Sequence, residues 1–337
     1  MVKVDAQDYL DEKVVKRLTI NCHPCTGMPA ITVDNLTKSF GQTLALDDLS
    51  FRVKEGEVFG FLGPNGAGKS TTINIVLDFA RPTDGSVSVL GMDAQRNSRD
   101  IRQRTGVLPE GVKTYDRLTA RQHLEFAINS KNANDEPEAL LERVGLEDAI
   151  DRKAGGFSKG MSQRLMLAMA LVGKPDLLIL DEPSTGLDPN GAREMRDLVR
   201  EENERGATVF FSSHIMEQVE EVCDRVGILR DGEMVAVDSV EGLRDSVSGG
   251  TSLRVTVDRI DDAALQAVRS LQDVTRATVK GEDPPTIVAS VNGSKTAVLS
   301  TLEDHGIEIQ DFQTTESSLE DVFRSYTTGT RPEVHAQ

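Results

Sequence analysis

The sequence predicts an α/β protein in two folded parts: a mostly parallel sheet flanked by helices, then a smaller α+β domain. Three observations carry the expectation. Apolar runs of strand length alternate with helical segments from Ile31 to about Arg244. The glycine-rich octet Gly63-Pro64-Asn65-Gly66-Ala67-Gly68-Lys69-Ser70 stands between one such run and a helix. After Ser246-Val247-Ser248-Gly249-Gly250 the pattern restarts with a different rhythm. A chain of 337 residues suits about two domains.

Taken in order, residues 1–27 lack a sustained period and read as an irregular extension, with Met28 as the start of the folded unit. Cys22 and Cys25 in this extension have Cys-x-x-Cys spacing, but no second ligand pair follows at metal-site spacing and no strand–helix context supports a redox pair. Ala30-Ile31-Thr32-Val33 opens the first strand of a domain expected over 28–245. Val58-Phe59-Gly60-Phe61-Leu62 reads as a buried strand, and Thr71–Leu77 as the first turns of a helix. The more polar stretch from Asp93 to Asp151 reads as a mostly helical insertion, placed at about 93–165. Ser158 is a natural N-cap for a helix running to about Leu171. Leu177-Leu178-Ile179-Leu180 and Thr208-Val209-Phe210-Phe211 are continuous apolar runs, as central strands covered on both faces require.

The second domain is expected over 251–327, with a tail at 328–337. Leu253, Val255 and Val257 alternate as in a strand, and Ala264, Leu265, Val268 and Leu271 share one helix face. Alternation returns at Ala277 and Val279 and at Ile287, Ala289 and Val291. Val298, Leu299 and Leu302 recur at helical spacing, Gly306 suits a C-cap, and Ile307 and Ile309 form a last short strand. The order βαββαβ is that of a ferredoxin-like domain. A final helix is expected over Ser318–Tyr326.

Composition narrows the function. No stretch approaches the roughly 18 apolar residues of a membrane-spanning helix. The N-terminus has mixed charge and no apolar signal region. Three cysteines in a chain this long do not make a disulfide scaffold. A net charge of −17 argues against a nucleic-acid groove, which needs a basic face.

The octet Gly63–Ser70 fixes a ligand class. Glycines let backbone N–H groups converge on phosphate oxygens, and a helix N-terminus adds positive potential. Lys69 would reach the β- and γ-phosphates and the Ser70 hydroxyl would ligate Mg²⁺. The run Leu177–Leu180 ends in Asp181 and Glu182. Asp181 can hold Mg²⁺, through water, and Glu182 can orient and deprotonate an attacking water. His214 follows the strand Thr208–Phe211, on the sheet edge where ligands of open α/β sheets sit, and is expected to sense the γ-phosphate.

Together, the loop Gly63–Ser70, Phe157-Ser158-Lys159-Gly160-Met161, the strand Leu177–Glu182, Ser184-Thr185-Gly186-Leu187-Asp188 and His214 resemble the ATP-binding cassette (ABC) family in order and spacing, over about Ile31–Arg244. The resemblance implies a P-loop NTPase core with a helical subdomain. It also implies a head-to-tail dimer, of two copies or of this chain and a paralogue. In that dimer Gly63–Thr71 of one subunit and Ser158 and Gly160 of the other sandwich ATP with Mg²⁺, Asp188 communicates across the interface, and Phe40 stacks on adenine. Lys159 and Met161 depart from the usual Leu-Ser-Gly-Gly-Gln signature, and Glu110 stands where the family usually has a Mg²⁺- or water-contacting Gln. Similar substitutions, and an ending like Ser318–Phe323, mark the branch that serves drug, antibiotic and lipid exporters. The resemblance therefore implies an ATPase on the cytoplasmic face of a membrane, driving a separate permease whose cytoplasmic helix docks beside Leu118-Thr119. An importer motor and a soluble cassette protein uncoupled from transport are the alternatives.

Overall fold

The computed structural model describes residues 28–111, 113–247, 251–281, 284–291, 293–315, 320 and 323. The N-terminal extension with its two cysteines, the linker 248–250, most of the expected final helix and the tail lie outside the described residues.

Strands β1 (Pro29–Phe40) and β2 (Thr43–Lys54) form an antiparallel hairpin whose register shifts several times. Strand β3 (Val58–Leu62) is buried along its whole length and runs into the octet, after which α1 (Lys69–Val76) begins. Strands β4 (Asp84–Val89) and β5 (Met92–Asp93) join the hairpin in an antiparallel sheet of order β2-β1-β4-β5. This separate sheet is not apparent in the alternating pattern of the sequence. It packs over the main sheet through aromatic rings: Phe51 lies 5.4 Å from Phe61 and 5.8 Å from Phe59, and Phe61 lies 5.1 Å from Phe210. Offset aromatic contacts of this kind add to the stabilisation from burying apolar area.

Helix α2 (Ser98–Arg104) leads into β6 (Thr105–Leu108), which pairs in parallel with a later central strand. The segment 93–165 is therefore not one helical insertion, because its first part returns to the main sheet. A four-residue strand between Arg104 and Pro109 is too short for a periodic signal. Gly106 in it packs against the backbone at the C-terminal end of the later helix Lys159–Leu171, since a Cβ there would lie 2.1 Å from the Ala170 carbonyl oxygen. The helical subdomain then comprises α3 (Ala120–Lys131), α4 (Pro137–Arg143) and the N-terminal part of α5 (Lys159–Leu171). A capping box starts α3: Gln122 N–H donates to the Thr119 hydroxyl, and Thr119 N–H to the Gln122 side chain.

The core resumes with β7 (Leu177–Asp181), α6 (Pro189–Glu204), β8 (Thr208–Ser213), α7 (Met216–Val222), β9 (Arg225–Arg230), β10 (Glu233–Ser239) and α8 (Val240–Val247). The main sheet has order β10-β9-β3-β8-β7-β6, parallel except for β10. All residues of β3, β7 and β8 are buried, which accounts for their uninterrupted apolar runs.

The second domain consists of β11 (Thr251–Val257), α9 (Asp262–Arg269), β12 (Val274–Lys280), β13 (Thr286–Val291), α10 (Lys295–Asp304) and β14 (Ile309–Thr315). Its sheet order, β12-β13-β11-β14 with antiparallel neighbours, is the ferredoxin-like topology expected from the sequence. Alternate residues of β11 and β13 pack with Ala264, Val268, Val298 and Leu302 of the helices in a core of their own. The last strand begins at Ile309; Ile307 is buried just before it.

Candidate functional site

The octet leaves β3 at its carboxyl end and folds against the β9–β10 turn. Gly63 touches the backbone there: a Cβ would lie 2.6 Å from the Leu229 carbonyl oxygen. Gly232 N–H donates to the Ala67 carbonyl at 3.0 Å. Gly68 has φ 111 and precedes α1, with Ala45 and Leu46 of β2 close above it, so glycine is required there on both conformational and steric grounds. Pro64, Asn65, Gly66 and Ser70 are exposed at the mouth, with Thr71 half-buried behind them.

Lys69 points inward. Its side chain is only 7% exposed, and its ammonium donates to the Gly63 carbonyl at 2.6 Å and stands 3.9 Å from Glu182 Oε1. Glu182 follows β7 with φ 50, a left-handed conformation that costs a non-glycine residue of order 1–3 kcal/mol. Its backbone N–H donates to the Ser212 carbonyl at 3.0 Å, and His214 Nδ1 lies 2.7 Å from its Oε2. Burial pushes the Glu182 carboxyl above the ordinary carboxylate range, while His214 and Lys69 pull it back. The structure thus brings Lys69, Glu182 and His214 into one cluster at the carboxyl ends of neighbouring strands β3, β7 and β8.

Asp181, the residue before Glu182, accepts a hydrogen bond from the Ser212 hydroxyl at 2.8 Å. Burial raises its pKa; the Ser212 hydroxyl opposes the shift and the nearby Glu110 carboxylate adds to it. Among the described residues no three His, Cys, Asp or Glu side chains form a self-sufficient metal cage. One buried carboxylate, a second beside it and a hydroxyl at the loop match the donor set of Mg²⁺, which keeps its waters and takes phosphate oxygens.

Phe40 ends β1 and is 54% exposed, so it is not a core residue; the Lys38 ammonium sits 4.6 Å from its ring centre. Ser158 and Gly160 belong to a different place. Ser158 caps α5, its hydroxyl accepting from Met161 N–H at 3.2 Å. With Gly186 and Asp188 these two line an open cleft of about 700 Å³ that includes no residue of 63–71 and neither Glu182 nor His214. Asp188 caps α6 by accepting from Gly191 N–H at 3.0 Å.

Two contributors were missed in the sequence. Ser212 holds both carboxylate residues, Asp181 through its hydroxyl and Glu182 through its carbonyl. The buried His123 accepts from Tyr115 N–H at 2.9 Å and, through Nδ1, lies 2.8 Å from the Thr119 carbonyl, so it pins the loop that follows Glu110. Only a histidine one turn into a capped helix marks it in the sequence, and that pattern is common.

A family model described as ABC transporter matches residues 46–185. The chain is 35% identical over 304 residues to the linearmycin resistance ATP-binding protein of Bacillus subtilis, covering 88% of this chain and 98% of that protein. It is 43% identical over 211 residues to the bacitracin transport ATP-binding protein of Bacillus licheniformis, covering 61% and 68%. A daunorubicin resistance ATP-binding protein of Streptomyces coeruleorubidus is 34% identical, over 87% of this chain and 94% of its own length. Among solved structures, an ATP-binding subunit of an ABC transporter superposes with a TM-score of 0.60 at 31% identity, covering 64% of this chain and 92% of that one. A dimeric cassette in a post-hydrolysis state with ADP and phosphate superposes at 0.58 with 25% identity, covering 62% and 98%.

Proposed function

The chain belongs to the family of ABC transporter ATP-binding proteins, and on that premise we propose that it pairs head to tail with a second copy or a paralogue and powers export through a separate permease. It is an ATPase. The observation that carries the dimer is the division of the site: the phosphate loop, Glu182 and His214 share one cluster, while Ser158 and Gly160 open onto another cleft. A capped helix start with free backbone N–H groups is an anion site. Only a second protomer turned to face the first brings that site to the triphosphate.

In this reading the loop amides of Gly63–Thr71 cradle the phosphates, and Lys69 leaves the Gly63 carbonyl to reach the β- and γ-phosphates. Glu182 takes the proton of the attacking water, and His214, which it orients, contacts the γ-phosphate. Ser70, Asp181 and Glu110 would hold Mg²⁺, which neutralises charge on the phosphates when bound. Phe40 carries the adenine. Base stacking on an aromatic ring is worth about 1–3 kcal/mol, so Phe40→Ala is expected to weaken ATP binding by roughly tenfold in a direct binding titration.

The exposed aromatics Tyr115 and Phe126 flank the Leu118-Thr119 segment, where the permease helix would dock. Among the described residues no helix is long and apolar enough to cross a membrane. In this reading a drug-like or lipid-like molecule is moved outward from the cytoplasmic face of the membrane; the names of the relatives, linearmycin resistance, bacitracin transport and daunorubicin resistance, support the drug-like class.

Two experiments test the reading. Ser158→Arg is expected to abolish cooperative ATP turnover by obstructing the partner's phosphate; cooperative turnover at wild-type level would rule out the clamp. Purification of the tagged chain from detergent-extracted membranes, followed by mass spectrometry, is expected to bring down a polytopic permease. Absence of the chain from the membrane fraction would favour the uncoupled cassette.

A further inference from the structure

Lys159 stands where the family's usual signature has its first glycine. It is the first residue of α5, directly after the Ser158 cap. Its aliphatic stem lies across Gly186: a Cβ there would meet Lys159 Cδ, Cε and Cγ at 2.5–2.7 Å. Gly186 also has φ 86, so a glycine is needed there for conformation and for room. The lysine stem thereby ties residues 158–160 to the 184–188 loop.

Among the described residues the charge at the end of the stem has no partner. The other cations of the cleft are engaged: Arg152 with the Gly156 carbonyl, and Arg164 with the Val144 carbonyl at 3.3 Å and with Glu194 at 2.7 Å. The Asp188 carboxylate is occupied in capping α6. The Lys159 ammonium makes no hydrogen bond and no ion pair among the described residues, yet it lines the same cleft as Ser158 and Gly160. An exposed lysine with a seated stem and an unpaired head loses less side-chain entropy than a free one when a ligand binds.

Resting on the clamp described above, we propose that Lys159 is a further ligand of ATP, its ammonium contacting the triphosphate held by the partner's phosphate loop. A compact ammonium suits phosphate as a point charge, and no backbone amide supplies a full charge there.

The test is steady-state ATPase activity of the full chain against ATP concentration for Lys159→Gln, Lys159→Arg and Ser158→Arg. Lys159→Gln removes the charge and leaves a shorter polar side chain; a lost charge-assisted contact is expected to raise KM for ATP roughly fivefold and to flatten its dependence on salt. Lys159→Arg is expected to restore both. Mixed dimers of a Lys69→Ala protomer with a Lys159→Gln protomer are expected to show wild-type KM, because their one competent phosphate loop faces an intact Lys159. A raised KM in the mixed dimer would place the contact within one protomer and overturn the inference. So would an unchanged KM for Lys159→Gln, or failure of arginine to rescue. If Ser158→Arg abolishes cooperative turnover while Lys159→Gln is silent, the clamp stands and only the lysine contact fails.

Discussion

A Glu182→Gln variant is expected to bind ATP, close as a dimer and turn over at least about 100-fold more slowly, the typical contribution of a positioned general base. The substitution changes little else. The amide has the shape of the carboxylate, so the left-handed backbone at φ 50 and the backbone hydrogen bond to Ser212 remain. His214 at 2.7 Å can still be bonded through the amide oxygen. The variant cannot accept the proton of the attacking water. It also removes a negative charge 3.9 Å from the Lys69 ammonium, which then faces the triphosphate without a competing anion. Slow hydrolysis and stronger retention of ATP therefore follow from the same atom change. Phosphate release and gel filtration with and without ATP measure the two effects. Wild-type turnover would put the base elsewhere.

The parts of this site that the sequence reveals are those in which backbone chemistry dictates residue type. The loop needs Gly63 against the Leu229 carbonyl and Gly68 at φ 111, and both needs appear directly as glycines. Buried central strands need apolar runs, and β3, β7 and β8 show them. The ferredoxin-like domain is legible because β11 and β13 each have one face on a core and so alternate. What stays hidden depends on short or non-local pairing. Strand β6 has four residues and owes its place to β7, some seventy positions on. Ser212 gains its role only because β8 lies beside β7 and brings its hydroxyl to Asp181. The left-handed Glu182 has no sequence mark, because glutamate is not a residue that this conformation selects. Lys159 reads as a departure from a pattern until its contact with Gly186 is seen. The 304 residues aligned with the linearmycin resistance protein exceed the 247 that end α8, so the likeness runs into the second domain.

Lys69→Ala is expected to lower ATP affinity by on the order of 100-fold, since a charged hydrogen bond to phosphate contributes up to about 3 kcal/mol. The fold should survive the change. The loop is shaped by its glycines and by the Gly232–Ala67 hydrogen bond at 3.0 Å, not by the lysine. Alanine is the best helix former, so the first turn of α1 keeps its geometry. The Gly63 carbonyl loses its 2.6 Å donor, but the exposed mouth at Pro64–Gly66 lets water replace it. Arginine is not expected to rescue: a planar guanidinium is larger and more rigid than the ammonium in this 7% exposed position. Calorimetric titration with ATP reads the affinity directly. Thermal melting separates binding from folding, because a ligand that binds only the native state stabilises it by about 2.7 kcal/mol at one hundred times its Kd. Without nucleotide the two proteins should melt alike; with ATP only the wild type should shift upward. An equal shift for Lys69→Ala would remove this lysine from the phosphate site, and with it the electrostatic basis for placing the triphosphate beside Glu182.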